Sequence, residues 1–419
     1  MSALKKILIT LAVLAAIVAL VPVLIPYDRY KGDIEQAMSA RLGTDAQIGS
    51  IAFSYSPKPQ IVLQGLTLGR AGEGTVDQII VPLTLKNLLN LRKELTDVVL
   101  EKAQFTEAFA RSLPSRLKPN PNGKDIHFAA LRLERLMIKL DKETVGPLSG
   151  VLRFNPDGTF KLVTVTDTDG RANLTVKPDG DAFDLDFDAK NWVLPGAYPD
   201  IRFDQLIVRG KASKEGVVVD DVNGMIFGSV VIGQGQLTWT DGWRLIGKLQ
   251  TRSMQADPLI SVFSANSRST GRMAASGDFE FTGDSYETLF DQRRIDINFT
   301  ISDGNLHNFD LIAPLKSQSP VMQQRGGQTR FDTLRGDFNL NNDVVTLKNL
   351  LLDAGKFTAT SSLQIDADKK LKGRINAKLA SGAIVVGAQL AVEGTLDAPA
   401  LRSAGAYKPG GRESTTSIF

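Results

Sequence analysis

The sequence predicts a mainly β protein: an N-terminal transmembrane helix, then an elongated, twisted antiparallel β-sheet or groove with a few short helices. Three observations support this. One apolar segment lies near the N-terminus, apolar and polar residues alternate over most of the remaining chain, and Asp-Gly or Asn-Gly pairs recur between the alternating segments. Alternation with period two is typical of strands with one apolar face, and such pairs favour tight turns.

The apolar segment covers residues 7–25 and contains no charged residue. A helix of this length is about 28 Å long, close to the hydrocarbon thickness of a bilayer. Lys5 and Lys6 precede it, which places residues 1–6 in the cytoplasm and the rest of the chain across the membrane. A cleaved signal peptide is the alternative, but the segment offers poor cleavage sites. The predicted anchor positions are Ile7, Leu11, Leu14, Ile17, Leu20 and Leu24.

Alternation is clearest in three segments after residue 170, and the short connections between segments predict an antiparallel meander. Turns are predicted at Asp157-Gly158, Asp169-Gly170, Asp179-Gly180, Asn223-Gly224, Asp241-Gly242 and Asp303-Gly304. The apolar residues of the three segments are Leu174, Val176, Phe183, Leu185, Phe187, Ile295, Ile297 and Phe299.

Helical spacing or helix-capping residues predict short helices at 28–42, ending at Gly43, and at 83–92, 257–264 and 285–293. Proline and glycine predict loops at 111–124 and 313–328. The predicted organisation is residues 1–6 in the cytoplasm, 7–25 as transmembrane helix, 26–112 as an N-terminal module, 113–124 as linker, 125–402 as the elongated β-rich region and 403–419 as a disordered tail.

Composition argues against most catalytic and nucleic-acid functions. The net charge is +3, from 49 basic and 46 acidic residues, without a basic stripe that would attract nucleic acid. Cysteine is absent, and the two histidines, His127 and His307, belong to no metal or catalytic spacing. Asp184, Asp186 and Asp188 share one strand face, and a solvated face explains them better than a calcium site. We therefore expect no enzyme, no cofactor and no metal.

Four segments, in order, resemble the AsmA family. They follow the apolar segment and short helix, although Thr44-Asp45 departs from the family's usual residues beside its Gly-Arg pair. The segments are RLGTDAQIGSIAFS at 41–54 with Pro57 and Pro59, IVLQGLTLG at 61–69, LKNLL at 85–89 and VEGTLDAP at 392–399.

This resemblance implies a single-pass inner-membrane protein of a Gram-negative bacterium, with its N-terminus cytoplasmic and its bulk in the periplasm. It also implies a distant relation to the TamB-type lipid-transfer proteins, whose β-grooves carry phospholipid between membranes. The expected function is to bind or pass phospholipid acyl chains along an apolar groove in support of outer-membrane biogenesis. The eight apolar residues of the three clearest segments are then the candidate lining.

Two other functions remain open from the sequence. The same apolar residues could fill the core of a β-sandwich, in a structural or assembly factor for a secretion system or for outer-membrane proteins. Such a protein would hold no lipid. A hydrolase would need a cleft of converging polar groups, which no motif in the sequence indicates.

Overall fold

A computed structural model of the chain describes residues 24–407 except 70–71, 85, 88–93, 117–126, 141–143, 195–200, 265, 267 and 324–325. Of the described strands, 23 form one open, mostly antiparallel sheet and two form a short parallel ribbon. The prediction of a mainly β, antiparallel protein with few short helices is confirmed. No helix in the described residues is long and apolar enough to span a membrane. The anchor positions Ile7, Leu11, Leu14, Ile17 and Leu20 lie outside the described residues, and Leu24 is exposed.

The helices are α1 (Lys31–Leu42), α2 (Glu107–Arg116) and α3 (Ala256–Phe263), with the 3-10 helices η1 (Tyr27–Tyr30) and η2 (Ala313–Lys316). The first strands are β1 (Ala46–Gln47), β2 (Ser50–Ser54), β3 (Gln60–Leu68), β4 (Gly74–Pro82), β5 (Glu94–Leu95), β6 (Val98–Thr106), β7 (His127–Phe128), β8 (Ala130–Lys139), β9 (Thr144–Phe154), β10 (Phe160–Asp167), β11 (Ala172–Asp179) and β12 (Ala182–Val193). The remaining strands are β13 (Arg202–Ala212), β14 (Gly216–Ile226), β15 (Ser229–Thr238), β16 (Trp243–Gln255), β17 (Arg268–Gly283), β18 (Gln292–His307), β19 (Val321–Gln323), β20 (Gln328–Asn341), β21 (Val344–Ala354), β22 (Phe357–Ile365), β23 (Leu371–Ser381), β24 (Ile384–Gly394) and β25 (Pro399–Ser403).

The chain divides into two compact units, residues 1–186 and 187–419. In the first unit β1 and β2 both pair with β3, and β3, β4 and β6 follow as antiparallel neighbours. The pair β6–β8 is parallel, so the chain must cross over between these strands, and α2 lies within that connection. Strands β8 to β11 continue as hairpins.

The core of the first unit lies between its early strands and the helices α1 and α2. Ile34, Met38 and Leu42 of α1 pack on it, which confirms that the predicted helix lies against the sheet. Gly43 ends α1 with φ of 61°, a conformation that glycine adopts readily. The buried core side chains are Ala46, Ile48, Ile51, Leu63, Leu66, Leu68, Val76, Ala103, Phe105, Phe109, Leu133 and Leu136.

The loop prediction for residues 111–124 is wrong over its first part, because α2 includes residues 111–116. Phe109 and Leu113, four positions apart, both face the core, and this packing outweighs the breaking effect of the prolines. The guanidinium of Arg116 lies 5.1 Å from the centre of the Phe109 ring. Most of the predicted helix at 83–92 lies outside the described residues. Of its described residues, 86–87 are helical.

In the second unit every neighbouring pair from β13 to β18, and from β20 to β25, is antiparallel. Strand β18 pairs directly with β20, and the short strand β19 pairs with β25. Because only residues 324–327 separate β19 from β20, strands β20–β25 curl back until the last strand reaches β19. We call β19–β25 the curled segment.

The curled segment encloses a packed core to which α3 and η2 also contribute. Ala256 of α3 and Leu315 of η2 are buried together with Ile375 and Leu390 from two strands of the curl. Helix α3 is held by Arg268, whose Nε and Nη2 donate to Oδ1 and Oδ2 of Asp257 at 3.0 and 2.8 Å. These hydrogen bonds lower the pKa of Asp257. The predicted helix at 257–264 is thus confirmed, beginning one residue earlier.

Four of the six predicted turns are confirmed, and two are wrong. Asn223-Gly224 lies inside β14, where Gly224 pairs with Val231, and the chain reverses at Phe227-Gly228 instead. Asp303-Gly304 lies inside β18, at an irregularity of the β17–β18 ladder where Asp303 has φ of 54°. A Cβ on Gly304 would lie 2.2 Å from Cζ of Phe331. Glycine is therefore required there for close packing, and not for a turn.

Three further segments differ from their predictions. Residues 285–293 form turns up to Asp291, and β18 begins at Gln292, so no helix forms there. The buried Leu289 and Phe290 fix these turns against neighbouring aromatic rings. The predicted loop at 313–328 contains η2 and β19. The prediction of a disordered tail at 403–419 is wrong for residues 403–407, since Ser403 ends β25 and the Tyr407 N–H donates to the Gly387 carbonyl at 2.8 Å.

Asn87 is fully buried and joins three segments of the first unit by hydrogen bonds. Its Nδ2 donates to the carbonyls of Pro82 and Thr96 at 2.7 and 2.9 Å, and its Oδ1 accepts from the N–H of Thr96 at 2.9 Å. The Asn87 N–H donates to Oγ1 of Thr84 at 3.1 Å. Each of these groups would otherwise be buried without a partner, which is costly.

We predict that Asn87→Ala lowers the free energy of unfolding by about 3 kcal/mol, because it leaves the Thr96 N–H and two carbonyls unpaired. Urea unfolding followed by circular dichroism measures this. Asn223→Ala, at an exposed strand position, is the matched control and should change stability by less than about 0.5 kcal/mol. Equal effects of the two substitutions would contradict the prediction.

Candidate functional site

All eight candidate lining residues are half-buried, neither sealed in a core nor fully exposed. Leu174 and Val176 lie on β11, Phe183 and Leu185 on the part of β12 in the first unit, and Phe187 on the part in the second unit. Ile295, Ile297 and Phe299 lie on β18. The structure therefore places them in separate groups, and each group is described within its own unit.

In the first unit, the apolar face of β9–β11 has no buried apolar side chain among the described residues 144–186. Leu174 pairs with Val165, and Val176 pairs with Val163, which also pairs with Leu152. Directly paired residues of antiparallel strands project to the same face, so these side chains form one apolar surface. Phe183 adds to it through Phe160, at 6.3 Å between ring centres.

In the second unit, the pairing register aligns apolar side chains in rows that cross six strands. Ile295 and Ile297 of β18 are each opposed by an apolar residue of β20, and most members of both rows are half-buried. One row contains Phe279, Ile295, Leu340, Val345, Ile365 and Leu371, and the next contains Gly277, Ile297, Phe338, Leu347, Leu363 and Gly373. We call the half-buried members of these rows the apolar floor.

Glycines in the strands bring the large side chains of the apolar floor down onto the sheet. A Cβ on Gly247 would lie 2.4 Å from Cζ of Phe279, and one on Gly277 would lie 2.6 Å from Cγ1 of Ile297. The same holds at Gly373, whose Cβ would lie 2.4 Å from Cδ2 of Leu363. The large side chain thus lies over the neighbouring glycine, close to the backbone of the sheet.

The packing on the face of the floor differs between the two ends of its strands. Met273, Phe299 and Ile301 on β17 and β18 pack against the core that α3 and η2 complete. Eight residues further along β17 from Met273, Phe281 is half-buried and contacts Phe279 and Phe290 at 5.5 and 5.3 Å between ring centres. The first end therefore joins a filled core, and the second is contacted by the turns at 284–291 through the buried Phe290. Between the two ends the rows consist mostly of half-buried side chains.

Amphipathic side chains border the floor at the end of its strands where Phe281 lies. Trp243 contacts Trp239 and Tyr286 at 5.5 and 5.8 Å between ring centres. Arg293 pairs directly with Phe281 in the sheet and forms an ion pair of 2.5 Å with Asp343. Tryptophan and tyrosine rings combine an apolar body with a polar group and favour boundaries between apolar and aqueous surroundings.

The opposite face of the same strands is polar. Asn298 Nδ2 donates to Oδ1 of Asp337 at 2.7 Å, and Asn349 Nδ2 donates to Oδ2 of Asp337 at 2.6 Å. These two hydrogen bonds lower the pKa of Asp337, the one from Asn349 more strongly. Ion pairs Arg244–Glu280 and Lys248–Asp278 lie on this face too. Two shallow depressions of about 710 and 750 Å³ are lined mainly by such polar residues.

Within the residues that the structure describes, no group of three or more histidines and acidic residues could hold a metal ion. Asp184 and Asp188 are exposed and Asp186 is half-buried, in keeping with the prediction of a solvated strand face. His127 lies on β7, and His307 lies at the end of β18, where it pairs with Arg268 and Gln328. The two histidines belong to different units.

Several residues of the floor were absent from the predicted lining. Phe338 and Leu340 alternate with Asn339 and Asn341, which is the same signal that identified Ile295 and Ile297. Phe279 and Phe281, separated by Glu280, show it over a shorter stretch. The role of the glycines carried no sequence signal of this kind, because it depends on which strands are paired.

No protein family, no curated protein and no solved structure matches this chain. The resemblance to the AsmA family therefore remains a prediction from its four segments. The last of these segments spans the end of β24 and the start of β25, where Gly394 has φ of 91°. The structure shows a large, mostly antiparallel β-sheet. The strands described above have one apolar and one polar face.

We predict that Gly247→Ala lowers the free energy of unfolding by about 1–3 kcal/mol, because its Cβ would overlap the Phe279 ring. Phe279→Ala in the same chain should recover part of this loss, as expected for coupled neighbours. Gly32→Ala is the control, since a Cβ there meets nothing within 4 Å and alanine favours a helix. Urea unfolding of the unmodified protein, of Gly247→Ala and Phe279→Ala singly and together, and of the control checks the coupling. Strict additivity of the two substitutions would contradict it.

Proposed function

We propose that this chain is a non-enzymatic lipid-binding protein whose apolar floor holds phospholipid acyl chains. The observation that carries the proposal is the part of the floor between its two ends, with half-buried residues such as Ile297, Phe338 and Leu347 in register on one face. A contiguous apolar surface is unfavourable in water, and each CH₂ group that it buries contributes about 0.8 kcal/mol. An acyl chain supplies such groups in a row and needs no directional contact.

The border of the floor supports a lipid in preference to a wholly apolar ligand. Trp243 and Tyr286 lie where the apolar surface ends, and the cationic Arg293 lies on the same face. This order, from apolar to amphipathic to charged, matches the order of tail, glycerol region and phosphate in a phospholipid. The low profile given by Gly247 and Gly277 suits a thin ligand lying on the sheet.

We further propose that residues 7–25 anchor the protein in the inner membrane, with the N-terminus in the cytoplasm and the bulk in the periplasm. The uncharged apolar run and Lys5 and Lys6 before it support this topology. With the resemblance to the AsmA family, it makes the inner membrane the source of the lipid. Outer-membrane biogenesis is then the process that the protein serves, and an outer-membrane assembly factor is a possible further partner. Nucleic acid is not an expected ligand.

A structural or assembly factor without lipid is the second candidate. The filled core of the curled segment favours it, because Ile375, Leu390 and Val392 are buried beneath α3 and η2 as in an ordinary packed domain. Leu363 and Ile365 of the floor pack against this core, whereas Ile297 and Phe338 are not among its residues. The two candidates therefore differ in whether the half-buried rows hold lipid.

We predict that Phe338→Glu reduces the phospholipid that copurifies with the full-length protein in mild detergent by at least about fivefold, because the carboxylate would be desolvated by the acyl chain. Asn341→Glu is the matched control, since this exposed residue of the same strand projects to the polar face opposite Arg294. Both variants keep residues 7–25, so lipid held around the anchor is the same in each. Phosphate analysis of the purified proteins gives the ratio.

The proposal would be contradicted if the two variants, both folded by circular dichroism, carried the same amount of phospholipid as the unmodified protein. Photo-crosslinking groups at Leu347 and at the buried Leu390 provide an independent check. We expect lipid adducts from the first position only. Adducts from neither would favour the assembly factor.

A further inference from the structure

The N-terminal edge of the sheet is covered by side chains of η1 and α1 that stand in for a neighbouring strand. Strands β1 and β2 pair with β3 on one side only. On the other side, the Ala46 N–H donates to Oγ of Ser39 at 2.8 Å and the Ile48 N–H donates to Oε1 of Glu35 at 2.7 Å. The Ile51 N–H donates to Oδ1 of Asp28 at 2.9 Å. These are the groups that an edge strand normally presents to a pairing partner.

The three side chains that accept hydrogen bonds from the edge lie on one face of the helical segment. Asp28, Glu35 and Ser39 are separated by seven and four positions, a spacing that places side chains on one side of a helix. That side follows the edge from Ile51 back to Ala46, so helix and edge run side by side in opposite directions. The spacing of the three side chains along the helix matches the spacing of the three N–H groups along the edge, so each N–H group meets a side-chain oxygen.

This cover is held by polar contacts and by half-buried apolar side chains, Tyr27 of η1 among them. No residue of η1 or α1 is buried, and Ile34, Met38 and Leu42 pack on the core while only half-buried. Arg116 Nη1 donates to the Leu42 carbonyl at 2.9 Å, and Lys31 Nζ donates to the Gly49 carbonyl at 3.4 Å. A helix held in this way separates from a sheet at lower cost than a hydrogen-bonded strand with a buried face.

We infer that η1 and α1 form a cover that blocks strand addition at this edge, and that a second copy of this chain pairs there when the cover is removed. The same edge on a second copy is self-complementary, because two antiparallel β2 strands can pair about a two-fold axis. Ile51 and Phe53 alternate with Ala52 as a pairing strand requires.

The test removes the three acceptors in the full-length protein, as Asp28→Ala, Glu35→Ala and Ser39→Ala together. We expect hydrogen–deuterium exchange of residues 46–54 to accelerate by about tenfold or more, with exchange of β4 unchanged. The control removes two exposed polar side chains of the same helix, Asp33→Ala and Gln36→Ala, and should leave exchange at the edge unchanged. Glu35→Gln keeps an acceptor oxygen and should behave like the control.

Because the chain has no cysteine, a single Ala52→Cys reports pairing of two copies. We expect an intermolecular disulfide in the triple variant and not in the otherwise unmodified chain. Ala274→Cys, exposed on an interior strand, should form none in either background. Unchanged exchange in the folded triple variant would overturn the cover. Accelerated exchange without the Ala52→Cys disulfide would overturn pairing with a second copy.

Discussion

The rest of the structure depends on the pairing register of the antiparallel strands. Residues of a strand alternate between faces, so a slip of one residue between β18 and β20 would replace Ile297 on the apolar face by Asp296 or Asn298. Hydrogen bonds on the polar face oppose such a slip. Asn298 donates to Asp337, its direct partner across the strands, and Asn339 donates to its own partner Asp296. The polar face thereby fixes the arrangement of the apolar one.

What covers the apolar face differs from place to place, and this difference separates core from candidate site. In the first unit α1 and α2 complete the core with residues such as Phe105 and Phe109, whereas the face of β9–β11 has only half-buried apolar residues. In the second unit α3 and η2 fill the curled segment, whereas the floor around Ile297 and Phe338 stays half-buried. The short helices thus mark where the apolar face becomes part of a core.

The sequence predicted the strands well because alternation is a local property that survives in the fold. Ile295, Ile297 and Phe299 could be assigned to one face without knowledge of their neighbours. Turn residues were less informative, since glycine also occurs where strands pack closely. Gly224 and Gly304 follow Asn or Asp, a pair that predicts a turn, yet both lie inside strands. A side chain at either position would come close to the ring of Phe203 or Phe331.

Features that need two distant segments could not be predicted. The placement of Phe279 over Gly247 requires the register of β16 and β17, and the hydrogen bonds from Ala46, Ile48 and Ile51 require the position of α1. The helix at 107–116 could not be predicted because it depends on the packing of buried Phe109 and half-buried Leu113, which outweighs the effect of Pro114 within it. In each case tertiary packing outweighed the local preference of the residues concerned.

We propose that the apolar floor is open to an acyl chain and is not a packed core. A nitroxide attached at Leu347→Cys tests it most directly, with Thr346→Cys on the polar face as reference. In phospholipid, the account predicts that the label at residue 347 collides with dissolved oxygen and is shielded from a water-soluble nickel complex, and that the label at residue 346 meets the nickel complex. A label at residue 347 that is immobile and inaccessible to both reagents would contradict the account, because that is the behaviour of a filled core.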